Sequence, residues 1–302
     1  MQGRLLIISD GKPGHLNQSI AFAKHLGFDY DITEIRFRSR LAKALSYLAD
    51  RLYLSIPSLF QAETVSGDYQ AVVSTGSETY YANRVLASQR RIKSIAIMLP
   101  KGYRYDFDLI VAQQHDDPPT QENIISLPVN LAYVEPQGLV SPEEGHKYIS
   151  VIIGGDSKQG RMDPTFLAAQ LEKIFSLLPG YDFWLTTSRR TPASVETVLR
   201  KFTWNRAIFY SQEQINPIPD FLAHSEYVFL TADSTSMISE AVSFGTAGVE
   251  VLLPQNMTVT KGKFGRMLTE LQKINAVHLF DGQVGGEKQK IDQSAELGGG
   301  RL

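Results

Sequence analysis

The sequence contains no cysteine, and this absence excludes several kinds of chemistry together. Disulfide frameworks, thiolate nucleophiles, cysteine-ligated zinc and iron–sulfur clusters all require that residue. Long apolar runs are also missing: none approaches the about 18 residues of a membrane span. The run Leu5–Ile8 is too short for the core of a signal peptide. We therefore expect a cytoplasmic protein.

A strong charge of one sign is absent as well. Thirty lysines and arginines oppose 32 aspartates and glutamates, which leaves a net charge of −2 among 302 residues. No overall basic field exists to hold nucleic acid by counterion release, so no nucleic-acid partner is predicted. The hydrophobic share of 43% indicates a folded protein, and the length favours two domains of roughly 150 residues each.

Common catalytic motifs are missing too. The chain has no H-E-x-x-H pair, no G-x-S-x-G elbow, no Walker loop and no G-x-G-x-x-G turn. Two D-x-D patterns, at Asp29–Asp31 and Asp106–Asp108, lead into predicted strands. A metal site of an α/β sheet belongs at the other end of its strands, so no metal site is predicted.

What is present is a repeated alternation of short apolar runs with longer amphipathic segments. The first run, 4–9, predicts a buried strand, and 39–60 predicts a long helix. Because this alternation implies parallel sheets covered by helices, the predicted fold is α/β, with two doubly wound Rossmann-like domains facing each other across a cleft. The predicted boundaries are 1–135 and 147–280, followed by a loosely ordered, partly disordered tail at 281–302.

Ligands of such sheets bind beyond the carboxyl ends of the strands, so the loops there are the candidate sites. The first such loop combines glycines with Asp10, Lys12 and His15, at the start of a predicted helix. Glycines let a ligand approach the backbone, and a helix N-terminus favours anions. The loop Thr75-Gly76-Ser77 ends another strand of the same domain. The remaining candidates of the first loop are Gly11, Gly14, Asn17 and Gln18.

In the second half, two loops favour phosphate binding. The first contains two glycines, a serine and two cations, which together supply amides, a hydroxyl and positive charge. The second runs into a helix, whose positive end would attract a phosphate. Their candidate residues are Gly154, Gly155, Ser157, Lys158, Arg161, Asp233, Ser234, Ser236 and Glu240.

The segment 36–60 mixes basic residues with leucines. This mixture is typical of a helix that rests on an anionic membrane surface, and equally of a domain-packing helix with a solvated basic face. Both interpretations stay open at this point.

The motifs SDGKPGHLNQS, STGSETYYAN, VIIGGDSKQGR and LTADSTSMISEAVSFGTAGVEV resemble the Elm-type (mitochondrial-fission Elm) family of glycosyltransferases, over about residues 1–280. The helix after Asp233 and the glycine loop also resemble the donor half of GT-B glycosyltransferases. The resemblance implies that Gly154, Gly155 and Ser157 hold the donor diphosphate with Ser234 and Ser236. It also implies that Glu240 holds the ribose hydroxyls, and that Gly11, Gly14 and His15 face the acceptor.

Together these features predict a metal-independent GT-B glycosyltransferase without a cofactor. It would transfer a sugar from a nucleotide sugar to an envelope glycan or lipid-linked acceptor, at the inner face of the membrane. His15 or Asp10 would act as general base, and Lys12, Lys158 and Arg161 would neutralise charge. Two alternatives remain: a nucleotide-sugar 2-epimerase of the same fold, and a non-catalytic adaptor that contacts a membrane or partner through 36–60.

Overall fold

The computed structural model describes residues 3–63, 65–158, 160–255 and 262–298. The chain divides into two compact units, Met1–Tyr133 with Asp292–Leu302, and Val134–Ile291. Each unit is built around its own parallel sheet. In the described residues, no helix is long and apolar enough to cross a membrane.

The first unit alternates strands and helices from its start. Its strands are β1 (Arg4–Ser9), β2 (Asp29–Phe37), β3 (Phe60–Ala62), β4 (Ala71–Thr75), β5 (Lys93–Ile97), β6 (Leu109–Gln113) and β7 (Ile124–Leu127). Its first three α-helices are α1 (Pro13–His25), α2 (Arg40–Arg51) and α3 (Tyr80–Arg90), and short 3-10 helices cover Pro57–Leu59 and Gln114–Asp116.

The sheet of the first unit has the order β3-β2-β1-β4-β5-β6-β7, and all neighbours are parallel except the pair β2–β3. Its central strands bury apolar side chains on both faces, as helix-covered parallel sheets require. One face packs against Phe22 of α1, and the other against Tyr80 and Tyr81 of α3.

The second unit repeats this architecture. Its strands are β8 (Tyr148–Ile153), β9 (Asp182–Thr187), β10 (Arg206–Ile208), β11 (Ser225–Thr231), β12 (Gly248–Leu252) and β13 (His278–Leu279). They form a parallel sheet in the order β10-β9-β8-β11-β12-β13. The helices are α4 (Pro164–Leu177), α5 (Ala193–Leu199), α6 (Ile218–His224), α7 (Thr235–Ser243) and α8 (Gly262–Lys273). The α/β, doubly wound fold predicted from the sequence is confirmed.

The prediction of one long helix over 39–60 is wrong. The helix α2 ends at Arg51, and Tyr53 takes the left-handed conformation with φ of 57°. Pro57 then excludes a continuous helix, because proline has no N–H and disfavours helical geometry in the residue before it. Phe60 begins the antiparallel edge strand β3, and its buried side chain packs this strand against the core.

A loosely ordered tail is predicted over 281–302; residues 281–298 differ from this expectation, and residues 299–302 lie outside the described part of the chain. Residues 282–291 belong to the second unit, where the N–H of Ile291 donates to the carbonyl of Val242 at 2.9 Å. A short helix α9 (Gln293–Glu296) then lies against β7 of the first unit. Burial of Ile291, Gln293 and Leu297 explains why a stretch rich in polar residues and glycine is held in place.

In both sheets the strand order reverses beside the first strand of the unit. The chain proceeds outward from β1 to β2 and then returns to the other side of β1 at β4; β8, β9 and β11 repeat this course. Such a reversal opens a crevice at the carboxyl ends of the two central strands, where ligands of doubly wound sheets bind. The crevices lie between the loops that begin at Asp10 and Gly76, and between those that begin at Gly154 and Ala232.

Candidate functional site

In the first unit, the loop after β1 joins an acid to an imidazole. The Asp10 side chain is 3% exposed, and its Oδ2 lies 2.9 Å from Nδ1 of His15 and 2.8 Å from Nζ of Lys12. Burial by itself would raise the pKa of Asp10, but the hydrogen bonds from Lys12 and His15 outweigh it and hold the pKa below its ordinary value. Because an ionised Asp10 can only accept, the bond requires a proton on Nδ1 of His15.

The loop after β4 packs directly on this imidazole. Gly76 has φ of +93°, and a Cβ built on it would lie 2.4 Å from Cε1 of His15. Only glycine satisfies both the backbone geometry and this close approach. The two loops predicted from sequence are therefore brought together, with Gly76 fixing one side of the His15 ring.

The other residues predicted for the acceptor side differ in exposure: some can be reached by a ligand and others are buried. Gly11, Gly14 and Asn17 are exposed, and Ser77 is half-buried beside Lys43. Gln18 and Thr75 are instead buried within the unit. The hydroxyl of Thr75 lies 2.8 Å from that of Ser19, so Thr75 ties α1 to β4 and its hydroxyl is already engaged.

A groove of about 570 Å³ runs beside Asp10. Lys43 and Glu78 form an ion pair within it, and Arg36 and Arg40 line it together with Lys12. Four cations and two carboxylates line this groove, and Glu34 pairs with Arg36 beside it at 3.2 Å, which leaves a small local excess of positive charge. A groove of this charge attracts acidic or phosphate-bearing groups.

In the second unit, the glycine loop after β8 is clamped from two sides. A Cβ on Gly154 would lie 2.0 Å from Oδ1 of Asp233, and one on Gly155 would lie 2.1 Å from the carbonyl oxygen of Arg190. The N–H of Gly154 donates to Oγ1 of Thr231 at 2.8 Å, and that of Gly155 to Asp233 at 3.2 Å. The expectation that both amides bind phosphate is corrected: they hold the loop, and glycine is needed for packing.

Asp233 is the centre of this clamp. Its side chain is 4% exposed and pairs with the guanidinium of Arg190 at 2.6 Å, while it accepts from Thr231 at 2.6 Å. Its carboxylate is therefore committed to the protein. The Arg190 side chain is 43% exposed, so Arg190 is the partner of this ion pair that a ligand can reach.

The helix α7 begins next to the clamp. Ser234 is its N-cap and accepts from the N–H of Met237 at 3.3 Å, and no acidic side chain lies in the first turn. The exposed Ser236 and the half-buried Glu240 are four residues apart, so they share one face of the helix. Burial raises the pKa of Glu240 to about 7, and the carboxyl group is protonated over much of the acidic range.

The other residues predicted for the donor side surround the glycine loop. Ser157 pairs with Gly160 through backbone hydrogen bonds of 3.0 and 3.3 Å, which closes a tight turn. Lys158 and Arg161 are exposed on this turn. Their positions agree with charge neutralisation at the surface of the site, which stays a prediction.

The two D-x-D patterns lie where a structural role accounts for them. Asp29 opens β2, and Asp31 accepts from Tyr69 at 2.8 Å. Asp108 precedes β6 and accepts from the N–H and hydroxyl of Ser94 at 2.7 and 2.8 Å. Among the described residues, no group of three histidine, aspartate or glutamate side chains is placed to hold a metal ion.

Comparison with known proteins agrees with these features. Residues 13–297 match the model of the family described as Mitochondrial fission ELM1. The protein belongs to this family. The uncharacterized protein RP120 of Rickettsia prowazekii (strain Madrid E) is 27% identical over 316 residues, covering 89% of this chain and 88% of the relative. The resemblance inferred from the sequence motifs is confirmed.

A solved glycosyltransferase structure shares the fold of this ELM1 family member. The glycotransferase of kitacinnamycin aligns with a TM-score of 0.51 at 11% identity, over 93% of this chain and 86% of that one. A UDP-N-acetylglucosamine 2-epimerase aligns with a TM-score of 0.46 at 13% identity, over 90% and 86%. The first of these likenesses supports the predicted fold, and at such identity it says nothing of the activity.

Two residues at the candidate site of the ELM1 family member lie outside the sequence motifs named above. Arg190 and Thr191 follow β9, and the Thr191 hydroxyl donates to the carbonyl of Gly154 at 2.5 Å. The sequence carries a signal for them, because Arg189, Arg190 and Thr191 come directly after a buried strand. The rule that selected the other loops selects this one as well.

Proposed function

We propose that this protein is a metal-independent GT-B glycosyltransferase that moves a sugar from a nucleotide-sugar donor to a glycan or lipid-linked acceptor. The observation that carries the proposal is the chemistry at the two strand-order reversals. One holds an acid–imidazole pair beside a basic groove, and the other holds a clamped glycine loop beside a helix N-terminus. An acid–imidazole pair can activate an acceptor hydroxyl, and a helix N-terminus can bind a diphosphate.

On the acceptor side, His15 is the general base. With Nδ1 bonded to the ionised Asp10, the other ring nitrogen, Nε2, takes the proton of the attacking hydroxyl. Asp10 orients the ring and stabilises the imidazolium that forms, as a buried carboxylate does in other acid–imidazole pairs. Lys12 keeps Asp10 ionised, and Gly76 prevents the ring from turning away.

On the donor side, the diphosphate is the leaving group. As the bond between the sugar carbon and the phosphate oxygen breaks, negative charge grows on the diphosphate. The positive end of α7, the Ser236 hydroxyl and the Arg190 guanidinium face that charge, together with Lys158 and Arg161. Glu240, on the same face of α7 as Ser236, accepts from the ribose hydroxyls. No cofactor enters these steps.

We place this reaction in the cytoplasm, where nucleotide sugars are made, at the inner face of the membrane. The positive groove beside Asp10 supports an acceptor that carries phosphate or carboxylate groups. Lipid-linked and envelope glycans include such acceptors.

The proposal is tested first by ligand binding. A thermal-shift screen with nucleoside diphosphates and nucleotide sugars is run on the wild-type protein, Glu240→Ala and Glu172→Ala. Glu172 is an exposed glutamate on α4 and serves as the matched control. A ligand that binds only the folded state raises the Tm by mass action.

We expect at least one nucleotide to raise the Tm of the wild-type protein and of Glu172→Ala. The shift should be lost in Glu240→Ala. If no nucleotide raises the Tm of the wild-type protein, the donor site is not where we place it and the adaptor function gains support. A nucleotide sugar converted to its 2-epimer, without release of diphosphate, would instead identify an epimerase.

A further inference from the structure

The helix α2 has the reverse of the usual burial pattern. Its buried residues are the small or polar Ala42, Ser46, Ala49 and Asp50. Its leucines face outward, with exposures of 69% for Leu41, 45% for Leu45 and 55% for Leu48. These positions lie three and four residues apart, so the leucines form one continuous stripe.

The stripe continues past the end of α2. Leu52 is 57% exposed, Tyr53 is 76% exposed and Leu54 is 50% exposed. The guanidinium of Arg104 stacks on the Tyr53 ring at 3.6 Å, which fixes the ring at the surface. An exposed apolar stripe of this extent on a surface helix marks an interaction site.

Positive charges outnumber negative ones around the stripe, where Arg36 pairs with the exposed Glu34 at 3.2 Å and Lys43 pairs with Glu78. Exposed arginines occur at positions 36, 38, 40 and 51, whereas the only acidic residue between positions 35 and 62 is Asp50. The Asp50 side chain is 2% exposed, bonded to Arg84 at 2.7 Å and to the N–H of Arg104 at 2.8 Å. Asp106, which lies nearby in the fold, is paired with Arg104 at 2.5 Å.

We propose that this stripe, Leu41–Leu54 with its flanking arginines, docks on an anionic lipid bilayer. Leucines on one face of a helix with arginines beside them fit the boundary between acyl chains and negative headgroups. Tyrosine prefers the same boundary, because its ring is apolar and its hydroxyl is polar. A partner of acidic protein surface would satisfy the arginines but would not call for so long an apolar stripe.

The position of the stripe has a consequence for the acceptor. Arg36, Arg40 and Lys43 line the groove beside Asp10, and Arg40 is also the first residue of α2. Docking therefore brings the groove next to the lipid headgroups. Resting on the proposed function, this geometry favours a lipid-linked acceptor over a water-soluble glycan.

The test is sedimentation of the purified full chain with vesicles of phosphatidylcholine, alone or mixed with phosphatidylglycerol. The stripe variant is Leu41→Gln with Leu48→Gln, and the charge variant is Arg38→Gln with Arg51→Gln. Ile274→Gln is the matched control, since Ile274 is 46% exposed and lies in the other unit. Leu41→Gln alone is the milder second variant, and circular dichroism checks the fold of each protein.

We expect the wild-type protein and Ile274→Gln to bind the phosphatidylglycerol vesicles and not phosphatidylcholine alone. Each leucine replaced should weaken binding about tenfold, and each arginine replaced several-fold, with a further loss at high salt. Absence of wild-type binding to the anionic vesicles would overturn the proposal. If Leu41→Gln and the stripe variant are folded and bind the anionic vesicles as tightly as the wild-type protein does, the proposal is overturned as well.

This outcome is independent of the sugar-transfer proposal. Vesicle binding needs no nucleotide, and the thermal shift by nucleotides should be the same in the stripe variant and the wild-type protein. A failure of membrane docking therefore leaves the donor site standing. A failure of nucleotide binding leaves the vesicle result standing.

Discussion

At the scale of single residues, two candidate site carboxyl groups, one in each unit, have pKa values shifted in opposite directions by their surroundings. Asp10 is held ionised by hydrogen bonds from Lys12 and His15, whereas Glu240 is pushed toward its neutral form by burial. The ionised Asp10 can then support a base. Glu240 can accept hydrogen bonds from a ligand, and such bonds would favour its ionised form. Such separation of pKa values is typical of functional sites.

The lowered pKa of Asp10 predicts the pH dependence of its contribution to stability. A depressed carboxyl pKa stabilises the fold above the pKa of the unfolded chain, and this stabilisation is lost as the pH falls through the folded pKa. We expect Asp10→Asn to lower the free energy of unfolding by about 1.5–3 kcal/mol at pH 7, and by less below about pH 4. Urea unfolding at both pH values measures this. An equal loss at the two values would show that Asp10 contributes as a neutral group.

The raised pKa of Glu240 predicts a pH dependence of stability with the opposite sign. Between pH 4.5 and about 7 the unfolded carboxyl ionises before the folded one, so the wild-type protein loses stability as the pH rises through this window. Glu240→Gln removes the cost. Its gain in stability should grow across that window to at most about 3 kcal/mol and then stay constant.

The same variant should bind nucleotides more weakly than the wild-type protein. In the proposed function, ribose hydroxyls donate to the ionised form of Glu240. Binding to the wild-type protein should therefore tighten as the pH rises from 5 to 8, and this part of the pH dependence should be absent in Glu240→Gln. Urea unfolding and calorimetric titration measure the two effects. A variant that is more stable but binds nucleotides normally would remove Glu240 from the donor site.

At the scale of elements, the glycine loop after β8 is specified by what surrounds it. The neighbour of Gly155 is the backbone of Arg190, which cannot rotate away as a side chain can. We expect Gly155→Ala to cost about 1–3 kcal/mol and to weaken nucleotide binding. Gly286→Ala, where a Cβ meets nothing within 4 Å, should be neutral or slightly stabilising. Equal Tm values for the two variants would contradict the clamp.

The elements also show what the sequence can and cannot specify. Strand β1 and the loop from Asp10 to His15 are predictable. An apolar run followed by glycines and polar residues indicates a buried strand that ends in a loop at the start of a helix. The end of α2 is not, because leucines at helical spacing suggest a longer helix and Pro57 alone marks the break. The position of Arg190 after a buried strand marks its loop as a candidate, but its packing on Gly155 is a tertiary contact that no local pattern records.

At the scale of the whole molecule, the chain returns to its first unit at the end. The side chain of Gln293 accepts from the N–H of Ala132 at 2.9 Å and donates to the carbonyl of Asn130 at 2.8 Å. The composition of the tail does not indicate this contact with the first unit, because few of its residues, among them Gln293 and Leu297, are buried there.

Removal of residues 292–302 should therefore destabilise the first unit selectively. Loss of Gln293 leaves two backbone groups without their partner, at a cost of about 1–3 kcal/mol. Hydrogen exchange should quicken in α1 and β7 and stay unchanged in β8 and β11. The point variant Gln293→Ala should act in the same direction, whereas Glu296→Ala, at an exposed position of α9, should not. Unchanged exchange in the first unit would contradict the anchoring role of α9.

The central claim is that the molecule transfers sugar with His15 as the base. The most direct measurement is a mass-spectrometric product assay with a panel of nucleotide sugars and either lipid extract or water-soluble glycans. The assay compares the wild-type protein, His15→Gln and, as the matched control, the exposed His224→Gln.

We predict release of a nucleoside diphosphate together with a glycosylated lipid. The rate should be about 10²- to 10⁴-fold lower in His15→Gln and unchanged in His224→Gln. Nucleotide binding should be retained in both variants. Recovery of every nucleotide sugar unchanged or as its 2-epimer, or full activity of His15→Gln, would contradict the account.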